Sequence, residues 1–172
     1  MSGRPPVSRR LALLAFLFVA LATAGCDHAA KHAARVVLGD GSVHAFAGEA
    51  VRFQLVHNTG GFLSLGASLP PLLRDAFFLF AAPLGVALLA ASAFGTAVRS
   101  RLALAGLALL CGGGLANWID RVLNGGAVTD FVSIGVGVLR TGIFNVADVA
   151  IMAGAALLLL PIARESEPAD GR

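Results

Sequence analysis

The chain has 172 residues, of which 57% are hydrophobic and 13% are charged. A soluble domain of this length needs more polar surface, so the composition excludes a soluble enzyme or binding module. The formal net charge of +3 does not indicate a nucleic-acid partner, because the arginines are scattered and no basic stripe carries interleaved aromatic residues. We therefore expect a single integral-membrane domain over residues 1–172.

Four apolar runs are each close to the roughly 20 residues that cross a hydrocarbon core. They predict membrane-spanning helices over residues 11–26, 76–98, 102–119 and 143–163. Basic residues lie before the first run, between the second and third, and after the fourth: Arg9, Arg10, Arg99, Arg101 and Arg164. The positive-inside rule then predicts four spans with both termini in the cytoplasm. Segments 27–75 and 120–142 would face outward, and the polar tail 165–172 is predicted to be disordered.

The outward segments carry short strand patterns. Apolar and polar residues alternate over Val51–Val56, which predicts a strand. The stretch Ser42–Ala47 can pair with it across a turn at Gly48-Glu49, and Thr129–Ile134 is a third candidate strand. Pro70-Pro71 ends the first outward segment before the second span.

The N-terminal run has an alternative interpretation. Arg9-Arg10, an apolar stretch and small residues before Cys26 are typical of a bacterial lipoprotein signal peptide. We favour a retained first span, because three further spans follow and cleavage would remove one helix from the bundle. Cys26 and Cys111 both lie at or inside apolar runs, so no disulfide is expected.

Three acidic residues lie around one predicted pair of spans. A carboxylate at the bilayer centre costs roughly 2.5–3.5 kcal/mol, so acids in membrane helices indicate a function. Asp120 follows the third span, Asp148 lies near the start of the fourth, and Asp130 lies between them. Helical spacing places Asn117 on one face with Asp120 and, on the next helix, Asn145 with Asp148. Because the spans are antiparallel neighbours, the two faces can meet. Two carboxylates brought together share a proton, an arrangement that suits hydrolysis of a peptide by activated water.

Four sequence blocks, in chain order, carry a resemblance to a known family: Asp27-x-x-x-Lys31, Asn58-Thr59-Gly60, Gly112–Arg121 followed by Val128–Phe131, and Phe144–Asp148. With these blocks the chain resembles lipoprotein signal peptidase, also called signal peptidase II. That family consists of four-span aspartic proteases of bacterial membranes. The resemblance implies an all-α membrane protein, a four-helix transmembrane bundle with a small extracytoplasmic β-cradle.

Carried over by position, the resemblance makes Asp130 and Asp148 the catalytic dyad. It gives supporting or substrate-binding roles to Asp27, Lys31, Asn58, Gly60, Asn117, Asp120, Arg121 and Asn145. The implied substrate is a prolipoprotein whose cysteine carries a diacylglyceryl group, cut just before that cysteine. The implied protein is a monomer in the bacterial inner membrane, in contact with lipid, with no cofactor and no metal.

Other interpretations of the same residues remain open at this stage. Asp130 and Asp148 can be structural partners of Arg121 and Arg140. Asp120 with Arg121 is more typical of an interfacial ion pair that anchors a helix. The Asp27–Lys31 spacing alone predicts an ordinary salt bridge at a helix end.

Three further features of the sequence bear on these alternatives. His28 and His32 have zinc-ligand spacing, but no third ligand block accompanies them. The segment from Asp120 to Asp130 is one residue longer than is usual in the family, at Asn124-Gly125-Gly126. At the level of function, the alternatives are a proton-linked transport subunit and a divergent paralogue that is non-catalytic or acts on another substrate.

Overall fold

The computed structural model describes residues 8–61, 65–97 and 100–165. The helices are α1 (Arg9–Leu38), α2 (Pro71–Ala76), α3 (Ala82–Ala97), α4 (Arg101–Leu123) and α5 (Val146–Glu165), with a π-helical segment, Phe77–Ala81, joining α2 to α3. The strands are β1 (His44–Phe46), β2 (Val51–Asn58), β3 (Val128–Val136) and β4 (Leu139–Arg140). The predicted tail 165–172 lies outside the described residues except for residue 165, as does the last residue of the predicted second span.

Helix α1 is longer than the first apolar run predicts. It continues to Leu38 instead of ending at residue 26, so the first part of the predicted outward segment is helical. The extension buries one face, with Lys31, Ala34 and Leu38 at spacings of three and four residues. Ala34 and Leu38 pack against Phe131 of β3. This contact with the sheet explains why the helix does not stop at the end of the apolar run.

The second apolar helix begins at Pro71, where proline fits the first turn because its missing N–H would be unpaired there anyway. Farther along, Pro83 cannot donate to the carbonyl of Leu79, the residue four positions before it. The helix widens over the preceding turn, where the N–H of Ala82 donates to the carbonyl of Phe77, five residues back. The indole Nε1–H of Trp118 donates to the Leu79 carbonyl oxygen at 3.0 Å. The proline thus explains both the wide turn and the bond that α4 makes to it.

Helices α4 and α5 cross closely because glycines remove side chains from the contact. A Cβ on Gly113 would lie 2.5 Å from the carbonyl oxygen of Ala147, and one on Gly106 would lie 2.8 Å from that of Gly154. On the adjacent face of α4, a Cβ on Gly112 would lie 2.5 Å from the carbonyl oxygen of Ala20 in α1. Gly112 and Gly113 therefore let α4 approach both α1 and α5 closely.

The strands form one antiparallel sheet in the order β1-β2-β3-β4. The predicted pairing of the first two strands is confirmed, with Ala45 opposite Arg52. The predicted third strand is confirmed as well, and it pairs with β2 so that Asp130 lies opposite Val56. Phe53 and Leu55 of β2 pack on the apolar cluster that joins the sheet to α1. The sheet is therefore fixed to the end of the helix that carries the buried polar residues.

Three helices of the described residues are long and apolar enough to cross a membrane: Arg9–Leu38, Pro71–Ala91 and Arg101–Leu123. The apolar stretch Val146–Leu159 of α5 is shorter. Many large apolar side chains on these helices are exposed, among them Phe18, Phe80, Leu84 and Leu88. A mostly helical protein with apolar outer surfaces and a small antiparallel sheet is the architecture of a membrane protein.

Candidate active site

All ten site residues named from the sequence are buried and lie close together: Asp27, Lys31, Asn58, Gly60, Asn117, Asp120, Arg121, Asp130, Asn145 and Asp148. Three helices and two strands supply eight of them, while Gly60 lies in the loop after β2 and Asn145 directly precedes α5. The predicted meeting of two polar helix faces is confirmed, since Asn117 Nδ2 of α4 donates to Asp148 Oδ1 of α5 at 2.9 Å.

Asp130 and Asp148 are linked through Asn145. The side-chain amide of Asn145 donates to Asp130 Oδ1 at 2.6 Å, and its side-chain oxygen accepts from the backbone N–H of Asp148 at 2.9 Å. The second bond is an N-terminal cap of α5, which fixes the first turn of the helix. Asp130 Oδ2 accepts from Asn58 Nδ2 at 2.9 Å. Each carboxylate is thus held by neutral amide donors, and among the described residues neither forms an ion pair. The alternative of a structural pairing with Arg121 or Arg140 finds no support in these contacts.

The Asp27–Lys31 pair lies inside the protein and not at a helix end. Lys31 Nζ lies 2.7 Å from Asp27 Oδ2, and both side chains are fully buried. Lys31 also donates to Asn117 Oδ1 at 2.8 Å, and Asp27 Oδ1 accepts from the backbone N–H of Ala147 at 2.8 Å. The pair therefore fixes the neighbours of Asp148 on both α4 and α5. The interpretation as an ordinary salt bridge at a helix end is wrong, because α1 continues past both residues.

Asp120 does not pair with Arg121, contrary to the anchoring ion pair that we considered from the sequence. Adjacent residues on a helix point in different directions. Asp120 instead lies 2.7 Å from Arg35 Nη2 and 3.3 Å from Lys31 Nζ, and it accepts the backbone N–H of Thr129 at 2.6 Å. Neither Arg35 nor Thr129 was among the site residues named from the sequence. Arg35 could have been found, because it lies one helical turn beyond Lys31 on the same face.

Arg121 joins the site to the loop after β2. Its Nη2 donates to the Gly60 carbonyl oxygen at 2.5 Å, and its guanidinium carbon lies 4.5 Å from the centre of the Phe78 ring. Its Nε–H is buried and has no acceptor among the described residues. Asn58 holds the same loop, accepting the N–H of Gly60 at 2.9 Å. The loop is thereby tied to Asp130 through a single asparagine.

Burial raises the pKa of the Asp130 carboxyl to about 6. The hydrogen bond from Asn58 opposes the rise, the nearby Asp148 carboxylate adds to it, and the bond from Asn145 opposes it again. A carboxyl that changes protonation near neutral pH, beside a second carboxyl, can donate or accept a proton during a reaction.

A cavity of about 560 Å³ opens beside the two carboxylates. Its polar end is lined by Asn58, Asn117, Arg121, Asp130 and Asp148. The rest is apolar and runs between α3, α4 and α5: Ala82, Pro83, Val86, Ala87, Leu115, Ile151, Met152 and Ala155 belong to this part. The cavity can therefore hold a long apolar ligand with one polar group at the carboxylates.

A model of one protein family, described as signal peptidase (SPase) II, matches residues 19–164. The chain belongs to the signal peptidase II family. The match includes all ten buried site residues, from Asp27 to Asp148. This match confirms the resemblance noted in the sequence. Signal peptidase II is a protease family.

Curated members of the family are similar to this chain over shorter or longer stretches. A lipoprotein signal peptidase of Desulforapulum autotrophicum is 34% identical over 84% of this chain and 86% of its own length. That of Methylobacterium sp. (strain 4-46) is 47% identical over 44% of this chain, and that of Borrelia turicatae is 32% identical over 63%. The matched part is 47% of the Methylobacterium protein and 66% of the Borrelia protein, less than two thirds of each.

Two solved structures, each described as a bacterial membrane enzyme studied by the in meso method, have the same fold. Both give a TM-score of 0.74, at 19% and 21% sequence identity. The first covers 92% of this chain and 93% of its own length, and the second covers 88% and 94%. The arrangement of helices and sheet is thus shared with a membrane enzyme along most of the chain.

Proposed function

We propose that this protein is an aspartic endopeptidase that removes the signal peptide from diacylglyceryl-modified prolipoproteins, cutting before the lipidated cysteine. The observation that carries the proposal is the pair Asp130 and Asp148, bridged by Asn145 at the polar end of an otherwise apolar cavity. Membership of the signal peptidase II family supports the same substrate class.

In this proposal the two carboxyl groups share one proton. The ionised member takes a proton from a bound water, and the protonated member donates its proton to the oxygen of the scissile carbonyl. The water oxygen bonds to the carbonyl carbon and gives a tetrahedral gem-diol. Collapse of the gem-diol breaks the C–N bond and transfers a proton to the leaving amine, which is the amine of the lipidated cysteine.

The residues around the dyad have orienting roles in this proposal. Asn145 and Asn58 hold the two oxygens of Asp130, and Asn117 holds Asp148. The Arg121 side chain lines the polar end of the cavity and holds the Gly60 carbonyl oxygen, so it orients the loop after β2 beside the dyad. The apolar part of the cavity between α3, α4 and α5 accepts the apolar part of the substrate, since it offers dispersion contacts with few polar groups.

For the membrane arrangement we propose four spans formed by α1, α2 with α3, α4 and α5, in a single monomeric domain of the bacterial inner membrane. Both termini lie in the cytoplasm in this arrangement, and the sheet forms a β-cradle at the outer face beside the dyad. The basic residues at the opposite ends of the helices support it. A transport function has no comparable support, because the buried acids lie together around one site instead of along a path.

The test is cleavage of a diacylglyceryl-modified prolipoprotein by the purified protein in detergent, beside Asp130→Asn and Asp148→Asn. We expect cleavage by the wild type and a loss of at least roughly a thousandfold in kcat in each variant, because each lacks one proton carrier. Asp40→Asn is the matched control, since Asp40 lies outside the site and its carboxylate accepts a hydrogen bond from the backbone N–H of Ser42. EDTA should leave the rate unchanged, as no metal takes part. Cleavage by either site variant at the wild-type rate would remove that residue from the dyad.

A further inference from the structure

Arg35 joins three segments of the chain beside the candidate dyad. Its Nη2 donates to Asp120 Oδ1 of α4 at 2.7 Å and to Thr129 Oγ1 of β3 at 2.6 Å. Asp120 Oδ2 in turn accepts the backbone N–H of Thr129 at 2.6 Å. The contacts among Arg35, Asp120 and Thr129, here named the β3 clamp, therefore form a closed set of charge-assisted hydrogen bonds.

The β3 clamp holds the residue immediately before Asp130. Successive side chains of a strand point to opposite faces, so Thr129 faces α1 and α4 while Asp130 faces Asn58 and Asn145. Both the backbone N–H and the hydroxyl of Thr129 are fixed by the clamp, and the side chain is fully buried. A rotation of the peptide that would move the Asp130 carboxyl must break these bonds.

The connection just before β3 contains two glycines and does not by itself fix the position of the strand. A contact such as the β3 clamp can fix it. Helix α4 ends at Leu123 with Asn124 as its C-terminal cap, and Gly125 and Gly126 follow with φ of 61° and 93°. The Gly126 N–H bonds to the Arg121 carbonyl oxygen at 2.8 Å, as in a Schellman helix end. Glycine gives a connection little stiffness of its own. The position of β3 thus depends on contacts made after the connection, and the clamp is the first that joins it to α1.

We propose that Arg35 is a positioning residue that sets the place of the Asp130 carboxyl through Thr129. The inference rests on the proposed function and adds to it a residue outside the four sequence blocks. Arg35 has no contact with the substrate in this account. Its loss changes the geometry of the dyad and not the binding of substrate.

The activity test uses Arg35→Met and Thr129→Val, each of which removes the bond between the two residues. Each should lower kcat roughly 10- to 100-fold, as expected for a small displacement of a reacting group, with KM within about twofold of wild type. Thr129→Ser keeps the hydroxyl and should retain activity within about twofold. The pH dependence of kcat should keep its midpoint, since Arg35 acts through position. The double variant should be no worse than the poorer single variant, because both remove the same interaction.

Arg52→Met is the matched control. The Arg52 side chain is exposed to a similar extent, 35% against 38% for Arg35, and it pairs with Glu49 away from the dyad. It should leave kcat unchanged. A similar loss in Arg52→Met and Arg35→Met, full activity of Thr129→Val, or a shifted pH midpoint would each overturn the proposal. If Arg35→Met fails to fold, the comparison of Thr129→Val with Thr129→Ser decides, because neither changes charge.

A second readout does not depend on activity. Hydrogen–deuterium exchange in detergent should be faster over residues 127–131 in Arg35→Met and Thr129→Val than in the wild type, and unchanged in Arg52→Met. If the wild type cleaves no prolipoprotein, the proposed function fails, and exchange still decides whether the β3 clamp holds the strand. Unchanged exchange in both clamp variants would contradict the clamp even if the wild type is active.

Discussion

The cavity has two unlike walls. One wall, here named the polar wall, is formed by α4, α5 and β3, and its carboxylates and amides are buried and bonded to one another. The other, here named the apolar wall, is formed by the π-helical segment and α3. In the most apolar part of Pro71–Ala91 no residue is buried, whereas Arg101–Leu123 has 39% of its residues buried. The two walls therefore differ in how firmly their neighbours hold them.

Glycine contacts show the same difference. On the polar wall, Gly113 of α4 leaves no room for a Cβ against Ala147 of α5. On the apolar wall, a Cβ on Gly85 of α3 would meet nothing within 4 Å. Where α4 faces α3, a Cβ on Gly114 would have its nearest contact at 4.0 Å. Proton transfer needs atoms fixed to a few tenths of an ångström, while an apolar chain is bound by contacts without direction. The comparison indicates that the polar wall supplies reaction geometry and the apolar wall supplies a surface that can adapt.

Loss of the bridging amide should have the largest effect on the polar wall. Asn145→Leu keeps the approximate size of the side chain but removes the donor to Asp130 and the acceptor for the Asp148 N–H. We expect kcat to fall roughly 10²- to 10³-fold, the usual cost of one preorganised polar group in an active site. Gln54→Leu is the control, because Gln54 lies on β2 and makes no side-chain hydrogen bond among the described residues. A kcat within twofold of wild type would show that the dyad does not need the bridge.

The raised pKa of Asp130 predicts a pH-dependent stability difference for Asp130→Asn. Between the ordinary carboxyl pKa near 4 and about 6, the folded wild type keeps a proton that the unfolded chain has released, so its stability falls as pH rises. The variant has no such loss. Its stability relative to wild type should therefore be higher at pH 8 than at pH 4.5, by about 2 kcal/mol for a shift of this size.

Unfolding in detergent at the two pH values measures this difference. Asp40→Asn is the control, because the hydrogen bonds from Ser42 lower the pKa of Asp40 and place its titration below the tested range. Its stability relative to wild type should be the same at pH 4.5 and pH 8. A flat result for Asp130→Asn as well would mean that burial of the carboxyl carries no cost in the folded protein.

Crowding the contact between α4 and α5 should have an intermediate effect. In Gly113→Ala the new methyl group would lie 2.5 Å from the Ala147 carbonyl oxygen, so α5 must shift and take Asp148 with it. We expect a loss of about 1–3 kcal/mol in unfolding free energy and a lower kcat. Gly25→Ala on α1 is the matched control, since its methyl group would meet nothing within 4 Å. Equal stability of the two variants would contradict the close packing of the polar wall.

Much of this site could be predicted from the sequence. Helical spacing placed Asn117 and Asn145 beside the acids that follow them, and alternation over Val51–Val56 predicted the strand that ends at Asn58. Patterns of this kind succeed because each depends on a single element. The partner of Asp120 was wrongly assigned, because the choice of Arg35 over Arg121 depends on how α1, α4 and β3 meet. The length of α1 was missed for a similar reason, since its extension is stabilised by Phe131, far along the chain.

The apolar wall should give the smallest effect. Trp118→Phe removes the donor to the Leu79 carbonyl, which Pro83 leaves without its usual helical partner. We expect a cost of about 1 kcal/mol in unfolding free energy and no change in kcat, because the bond fixes the π-helical segment and not the dyad. Pro83→Ala supplies a backbone N–H for that carbonyl, so Trp118→Phe should cost less in the Pro83→Ala background, as a double-variant cycle in detergent would measure. A kcat loss as large as that of Asn145→Leu would show instead that the apolar wall is held as strictly as the polar wall, and that substrate positioning extends to α3.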